Sequence, residues 1–315
     1  MKPRTLGNTG LEIAPLVLGG NVFGWTVDEA GAFELLDRAA AAGLNTIDTA
    51  DSYSSWVPGN VGGESETLIG KWLKRSGRRA GTILITKVGS AIGSYPQDLK
   101  AKHILAAAED SLRRLQTDHI DLYFSHWPDP ATPIEETLGA HETLLRQGKV
   151  RAIGASNYSA AQLQEALTAA AQASLPRYEA VQPEYNLYAR GSFEGALRDL
   201  CVSEGLGVIT YFSLASGFLT GKYRSEADLS KSPRGQMLGK YLDTRGMRIL
   251  RALDAVAEAH AAAAGEVALA WLMAQPGVTA PIASATSVPQ LESLVRATGL
   301  SLSGEELQTL TAASA

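Results

Sequence analysis

The sequence predicts an α/β fold, a (β/α)8 TIM barrel with an N-terminal β-hairpin closing its bottom, and three observations carry that prediction. Short β-branched runs alternate with Ala/Leu-rich helical stretches along all 315 residues. Eight strand-then-helix units follow one another with no change in composition, which favours a closed barrel over a doubly wound sheet. A doubly wound sheet for dinucleotide binding would want a G-x-G-x-x-G turn after the first strand and an acidic residue about 20 positions on, and neither is present. Residues 1–315 are therefore read as a single barrel domain.

The elements follow in order. Arg4-Thr5-Leu6 and Leu11-Glu12-Ile13 flank the turn Gly7-Asn8-Thr9-Gly10 and read as the hairpin. The expected strands are 16–20, 45–50, 82–87, 120–126, 150–156, 180–185, 207–212 and 279–285. The expected helices are 28–42, 64–75, 101–116, 133–147, 159–171, 193–204, 248–262 and 288–297. Asp28 and Ser159 stand where N-caps belong, and Pro133 where a first helical position belongs. Gly43, Gly77, Gly148 and Gly205 supply stops. The apolar stretch around 249–274 is interrupted by Arg251, Asp254, Glu258 and Glu266 and reads as an amphipathic helix, not a membrane span. The run Ala261 to Ala264 is read as helical and structural. Two connections are long: 51–63 after strand 2, and 215–247 after strand 7, the latter with Lys222, Arg224, Lys231, Arg234, Lys240 and Arg245. Loops of that length on a barrel are usually lids or binding loops.

Composition narrows the function classes. Hydrophobic residues at 45% and charged residues at 19% fit a chain with a substantial core. A net charge of −5 without a basic stripe argues against nucleic acid as a partner. The single cysteine, Cys201, rules out an internal disulfide and a cysteine-built zinc site. Met1-Lys2-Pro3-Arg4-Thr5 lacks the apolar core of a signal peptide, so the expected location is cytoplasmic. No His/Asp/Glu group has metal-ligand spacing. Three histidines, His103, His119 and His141, lie in or beside helices and are expected to be solvated.

A barrel gathers the carboxyl ends of its strands at one mouth. Strand 2 ends at Asp48, with Tyr53 five positions later; strand 3 ends at Lys87, strand 4 at His126, and strand 5 at Ser156-Asn157. Gln182 and Asn186 belong to strand 6, Tyr211 and Ser213 to strand 7. Each has an ordinary structural alternative: Asp48 as a turn cap, Lys87 leaving for solvent, His126 as a bonded core histidine. Together, a carboxylate, a tyrosine, a lysine and a histidine at consecutive strand ends point to acid–base work on a carbonyl. A free tyrosine, with a pKa of about 10, is too weak an acid to donate rapidly at neutral pH. Lys87 is expected to lower that pKa, Asp48 to hold Lys87, and His126 to orient the substrate oxygen.

These residues resemble a known family, the aldo-keto reductases, in the branch that includes bacterial reductases and potassium-channel β subunits. Asp48-Thr49-Ala50-Asp51-Ser52-Tyr53, Gly63-Glu64-Ser65-Glu66, Thr86-Lys87, His126-Trp127-Pro128, Ile153-Gly154-Ala155-Ser156-Asn157 and Gln182-Pro183-Glu184-Tyr185-Asn186 carry the likeness. So does the segment from Tyr211 to Tyr223, and the similarity covers nearly the whole chain. The resemblance implies a tetrad of Asp48, Tyr53, Lys87 and His126 with Tyr53 as proton donor, and NADP(H) as cofactor, with NAD(H) left open. It places the cofactor on Gly20, Asn21, Ser156, Asn157 and Gln182, with the nicotinamide ring on Tyr211 beside Phe212. The pyrophosphate would follow along Ser213, Leu214, Ser216, Gly217, Leu219 and Lys222, and the adenosine end along Ser284, Thr286 and Gln290. Many members carry a basic residue just after strand 8; here Ala283-Ser284-Ala285-Thr286 is uncharged, and Arg234 is the expected substitute. Ser293 and Leu294 stand where the family's adenine-contacting polar residues are usual.

The loop aromatics Phe23, Trp25, Trp56, Tyr95 and Trp127 are the expected substrate contacts and favour an apolar aldehyde or ketone. Packing against the rim is the alternative for Trp25 and Trp127. Three other functions share parts of this pattern: an alcohol or sugar dehydrogenase running oxidatively, a non-catalytic cofactor-sensing subunit, and a Schiff-base aldolase with Lys87 as nucleophile. The expected partner is a small molecule, with no nucleic acid and no membrane; the oligomeric state is left open.

Overall fold

The computed structural model describes residues 1–93, 96–232 and 235–315. A two-stranded antiparallel hairpin, β1 (Arg4–Thr5) with β2 (Glu12–Ile13), precedes eight parallel strands. These are β3 (Val17–Gly19), β4 (Thr46–Asp48), β5 (Ile83–Val88), β6 (Ile120–Ser125), β7 (Val150–Ser156), β8 (Ala180–Gln182), β9 (Gly207–Thr210) and β10 (Ala280–Ala283). Each pairs with the next, and β10 returns to β3, so the sheet closes without an edge. The helices are α1 (Glu29–Ala41), α2 (Glu64–Ser76), α3 (Ala101–Leu115), α4 (Ile134–Arg146), α5 (Ala160–Ala173), α6 (Ala196–Ser203), α7 (Thr244–Ala259), α8 (Ala264–Met273), α9 (Val288–Ala297) and α10 (Gly304–Ala313).

The alternation of strand side chains divides the core in two. Val17, Ile85, Leu122, Phe124, Ala152, Ala180, Ile209 and Ile282 fill the barrel, and Leu6, Leu11 and Ile13 of the hairpin join them from below. Residues of opposite parity, such as Leu84, Tyr123, Ile153 and Val181, pack outward on the helices. The hairpin is held there by the Arg4 guanidinium, which donates to the carbonyls of Met273 and Thr279 at 3.0 and 2.9 Å. Asp28 caps α1 by accepting from the Gly31 N–H, and Ser159 forms a capping box with Gln162. Pro133 is the N-cap of α4, one position outside the helix. All four stop glycines adopt positive φ.

Two expectations about helices need correction. The stretch 249–274 is two helices, not one: α7 ends at Ala259, Ala261 takes a left-handed φ of 49°, and α8 starts at Ala264. Ala261 to Ala263 are thus a turn. The turn lets α8 drop inward, where Val267, Leu269, Trp271 and Leu272 are buried on all sides. The final helix, α10, was not expected, although Ser303 and Glu306 form the capping box that announces it. Within 215–247 the described residues make a kinked pair of turns over Ala215–Thr220 and short 3-10 turns at Glu226–Lys231, Gly235–Met237 and Gly239–Tyr241, and α7 begins four residues before the expected 248. Among the described residues no helix is long and apolar enough to cross a membrane.

Candidate active site

The period of two decides which polar side chains meet. Lys87 continues the inward row Ile83, Ile85 of β5, and His126 follows Leu122 and Phe124 at the end of β6. By the same count Asp48, Ser156 and Gln182 close the inward rows of β4, β7 and β8. Gly154 leaves room beneath them, since a Cβ there would lie 2.4 Å from the Phe124 ring.

Lys87 is fully buried, and all three of its ammonium protons are used, each at 2.8 Å: on Asp48 Oδ2, the Thr49 carbonyl and the Tyr53 hydroxyl. The Tyr53 hydroxyl donates its own proton to Asp48 Oδ2 at 3.2 Å, and Gln182 Nε2 donates to Asp48 Oδ1 at 2.9 Å. Asp48 thus accepts from three side chains. Burial lowers the Lys87 ammonium from the ordinary lysine range while Asp48 pulls it back up. Burial, then the Lys87 charge, holds His126 well below the ordinary histidine value, so its ring is neutral at neutral pH.

One expectation fails here. Lys87 does not make Tyr53 more acidic in this arrangement; burial and the adjacent Asp48 carboxylate hold the phenol well above its ordinary value. Tyr53 keeps its proton, and the contribution of Lys87 is a hydrogen bond into the oxygen that would carry charge once the proton leaves.

A second layer supports this one. Thr86, facing outward, donates to Glu66 Oε1 at 2.6 Å, and Arg114 donates to Glu66 Oε2 at 2.6 Å. Asp51 lies in the same region, 3% exposed, and neither carboxyl oxygen has a hydrogen-bond partner. Burial, reinforced by Glu66, raises its pKa well above the ordinary value of about 3.9. Between that value and the raised one, the folded chain binds one more proton than the unfolded chain, so stability falls as pH rises through the window. Asp51→Asn is therefore expected to be more stable than the parent at pH 7, by about 1.4 kcal/mol for each tenfold of displaced acidity. The gain should vanish below about pH 4. Urea denaturation at both pH values checks this, and an equal gain at both would contradict it.

His141 is corrected as well. It is fully buried on α4, its Nε2 3.2 Å from Ser125 Oγ, and burial lowers its pKa to about 4. His103 and His119 are partly exposed beside Asp98 and Asp118.

A cavity of about 1,220 Å³ opens over Asp48, Tyr53 and His126 and runs to the start of α9. Fourteen of the expected cofactor residues line it: Asn21, Ser156, Asn157, Gln182, Tyr211, Phe212, Ser213, Leu214, Ser216, Gly217, Lys222, Ser284, Thr286 and Gln290. Gly20 and Leu219 do not. Gly20 is wedged under the site, its N–H donating to the Asp48 carbonyl at 2.7 Å, and a Cβ on it would meet Ser65 Oγ at 2.9 Å. Leu219 is fully buried in the core. Arg234 and Tyr95 lie outside the described residues. Trp25, Trp56 and Trp127 line the end of the cavity near Tyr53, whereas Phe23 is only 1% exposed and packs in the core, its carbonyl accepting from Ser54 Oγ. Ser52, Ser55 and Ser90, which are not among the expected site residues, line the same end; Ser52 and Ser55 flank Tyr53 in a serine-rich loop and Ser90 follows strand β5, and nothing in their spacing distinguishes a lining serine from a turn serine.

The long arm of the cavity suits a dinucleotide. Asp48 is the one carboxylate among the described lining residues and sits at the far end, while Lys222 is the ammonium along the arm. Ala215, Ser216 and Gly217 take positive φ in succession (47°, 57° and 101°), and the N–H groups of Ala215 and Gly217 close tight turns onto the carbonyls of Phe212 and Leu214 at 2.7 and 2.8 Å. Near Tyr53, Asn157 Nδ2 donates to the His126 carbonyl at 2.9 Å, and its Oδ1 accepts from Tyr211 OH at 2.6 Å, which fixes the tyrosine ring over the cavity. Among the described residues no group of His, Cys, Asp and Glu is arranged to hold a metal ion.

Comparison with known proteins gives the family of the chain. The model of the aldo/keto reductase family matches residues 15–315. The chain is 37% identical over 317 residues to the uncharacterized oxidoreductase YrpG of Bacillus subtilis, covering 97% of this chain and 93% of that one. It is 33% identical over 320 residues to the aldo-keto reductase YhdN of the same organism, covering 97% and 91%. A probable voltage-gated potassium channel subunit beta of Arabidopsis thaliana is 32% identical over 305 residues, covering 94% and 91%.

Proposed function

The chain belongs to the aldo/keto reductase family, an oxidoreductase family that uses nicotinamide cofactors, and from that premise we propose that it reduces aldehydes or ketones to alcohols with NADP(H), as a single barrel domain, with Tyr53 as proton donor. The observation that carries the reading is the bonding of Tyr53. Its hydroxyl stands at the cavity wall with Lys87 donating into its oxygen and Asp48 accepting its proton.

Ser156, Asn157, Gln182 and Tyr211 would hold a reduced nicotinamide, which would supply the hydride when bound. The chain's own part is the proton and the orientation. A carbonyl oxygen between Tyr53 and His126 is aligned by two hydrogen-bond donors, and it grows basic as the carbon is reduced. The Tyr53 hydroxyl then turns from Asp48 and gives its proton to that oxygen, and the Lys87 ammonium steadies the phenolate left behind. Trp25, Trp56 and Trp127 offer the substrate flat apolar walls with no charged group among them, which favours a neutral aromatic or apolar carbonyl compound. The test is oxidation of NADPH by the purified chain with simple aromatic aldehydes; no turnover across a panel of such carbonyls would overturn it. The same site run backwards is an alcohol dehydrogenase, and assays in both directions decide which dominates. A Schiff-base role for Lys87 is disfavoured, because all three of its N–H bonds are committed.

The preference for the phosphorylated cofactor rests on the family resemblance and on Arg234, which lies outside the described residues; Lys222 is assigned to the pyrophosphate that both cofactors share. NADPH is expected to bind more tightly than NADH in a fluorescence titration. Equal affinities, or tighter NADH, would remove the NADP(H) assignment.

A further inference from the structure

Beyond the tetrad, one hydroxyl at the same mouth bears on how His126 presents itself. Strand β5 delivers Lys87 to the interior and Val88 outward, and its neighbour β6 brings Ser125 beside Val88. The His126 N–H then donates to the Val88 carbonyl at 2.8 Å, so the two chain ends leave the barrel together. Gly89 follows with φ of 98°, where a Cβ would lie 2.5 Å from Leu99 Cδ2. That left-handed step turns Ser90 back across the end of β6. Its Oγ comes to 3.1 Å from His126 Nδ1 and 3.0 Å from Trp127 Nε1.

The chemistry of the three groups is unequal. An indole nitrogen can only donate, so Ser90 Oγ accepts from Trp127. The hydroxyl has one proton of its own, and His126 Nδ1 is the other partner of that oxygen among the described residues. A hydroxyl that accepts a bond becomes a better donor. His126 is neutral, so one ring nitrogen carries the proton and the other accepts. If Ser90 donates to Nδ1, the proton resides on Nε2, which has no hydrogen-bond partner among the described residues in a ring that lines the cavity.

We infer that Ser90 is a positioning residue: relayed from Trp127, its hydroxyl locks His126 in the tautomer with the proton on Nε2, making the histidine a hydrogen-bond donor to the substrate oxygen. The inference rests on the proposed reductase reading for its purpose, but not for its geometry. The stacking of His126 on Trp127, with centroids 6.0 Å apart and planes 18° apart, holds both rings in the orientation the relay needs. Without the Ser90 hydroxyl, Nδ1 loses its donor and the two neutral tautomers become closer in energy, so part of the population would aim a lone pair at the carbonyl.

The experiment is long-range ¹H–¹⁵N correlation on the full chain labelled at histidine, with and without NADPH, the His126 signals being identified by their loss in His126→Gln. The parent is expected to show an unprotonated Nδ1 and a protonated Nε2. Ser90→Ala should give averaged shifts of mixed tautomers, and Ser90→Thr should restore the parent pattern. In parallel, Ser90→Ala should lower kcat with an aromatic aldehyde by about tenfold, leave the NADPH Kd unchanged, and be rescued by Ser90→Thr. A parent His126 protonated on Nδ1, or a Ser90→Ala spectrum identical to the parent, overturns the inference. A parent that reduces no carbonyl sinks the reductase reading instead, while the nitrogen shifts still decide the tautomer.

Discussion

Tyr53→Phe is expected to lower kcat by about 10²–10⁴-fold while the NADPH Kd stays within about twofold of the parent. The variant keeps the ring, and with it the edge contact to Trp56 at 6.3 Å, so the cavity wall survives. What disappears is the one proton placed between Lys87, Asp48 and the cavity. The ammonium then loses one of its three acceptors, a cost of about 1–3 kcal/mol for a buried group, which a melting curve will register without unfolding the chain at assay temperature. Steady-state kinetics with cofactor titration separates the two effects. A kcat near the parent value would show that the proton comes from elsewhere.

Lys87→Met should be as damaging to turnover and worse for folding. Asp48 is buried, and removal of its cationic partner leaves a carboxylate with only neutral donors. Breaking a buried pair from one side costs about 3–5 kcal/mol. The double variant Asp48→Asn with Lys87→Met carries no stranded charge, so it is expected to recover most of that stability and none of the activity. Chemical denaturation of the parent, the single and the double variant checks the ordering. A double variant no more stable than the single one would mean that the pair is not what holds this part of the barrel mouth together.

The parts of this molecule that a reader can take from the sequence are those where local chemistry and tertiary demand agree. Asp28, Ser159 and the stop glycines mark boundaries because a cap or a left-handed turn has few chemical solutions. Lys87 and His126 are legible because each ends an apolar run on its inward parity. The break between α7 and α8 is hidden, since Ala261 to Ala263 are the best of helix formers and bend only because α8 must turn into the core. Phe23 misleads in the opposite way: a loop aromatic near the mouth looks like a substrate contact, yet packing draws it under the loop. His141 follows the same logic, its Nε2 bonded to Ser125 and its ring packed against Tyr123 and Tyr178 while Nδ1 is left without a partner. The acidity of Tyr53 is not legible in the sequence, because sequence supplies the neighbours of a group but not their depth, and depth is the larger influence here.

The three bonds that Lys87 donates have a consequence for how the site responds to a substrate. With the ammonium tethered at Asp48, Thr49 and Tyr53, none of these heavy atoms has to travel for chemistry to begin. Under the proposed mechanism the change of state is the swing of one O–H bond about the phenolic C–O axis, from Asp48 towards the cavity. A rotor of that kind reorients far faster than a loop or a lid moves. The barrel mouth would then act as a fixed mould, with timing left to whatever enters and leaves it.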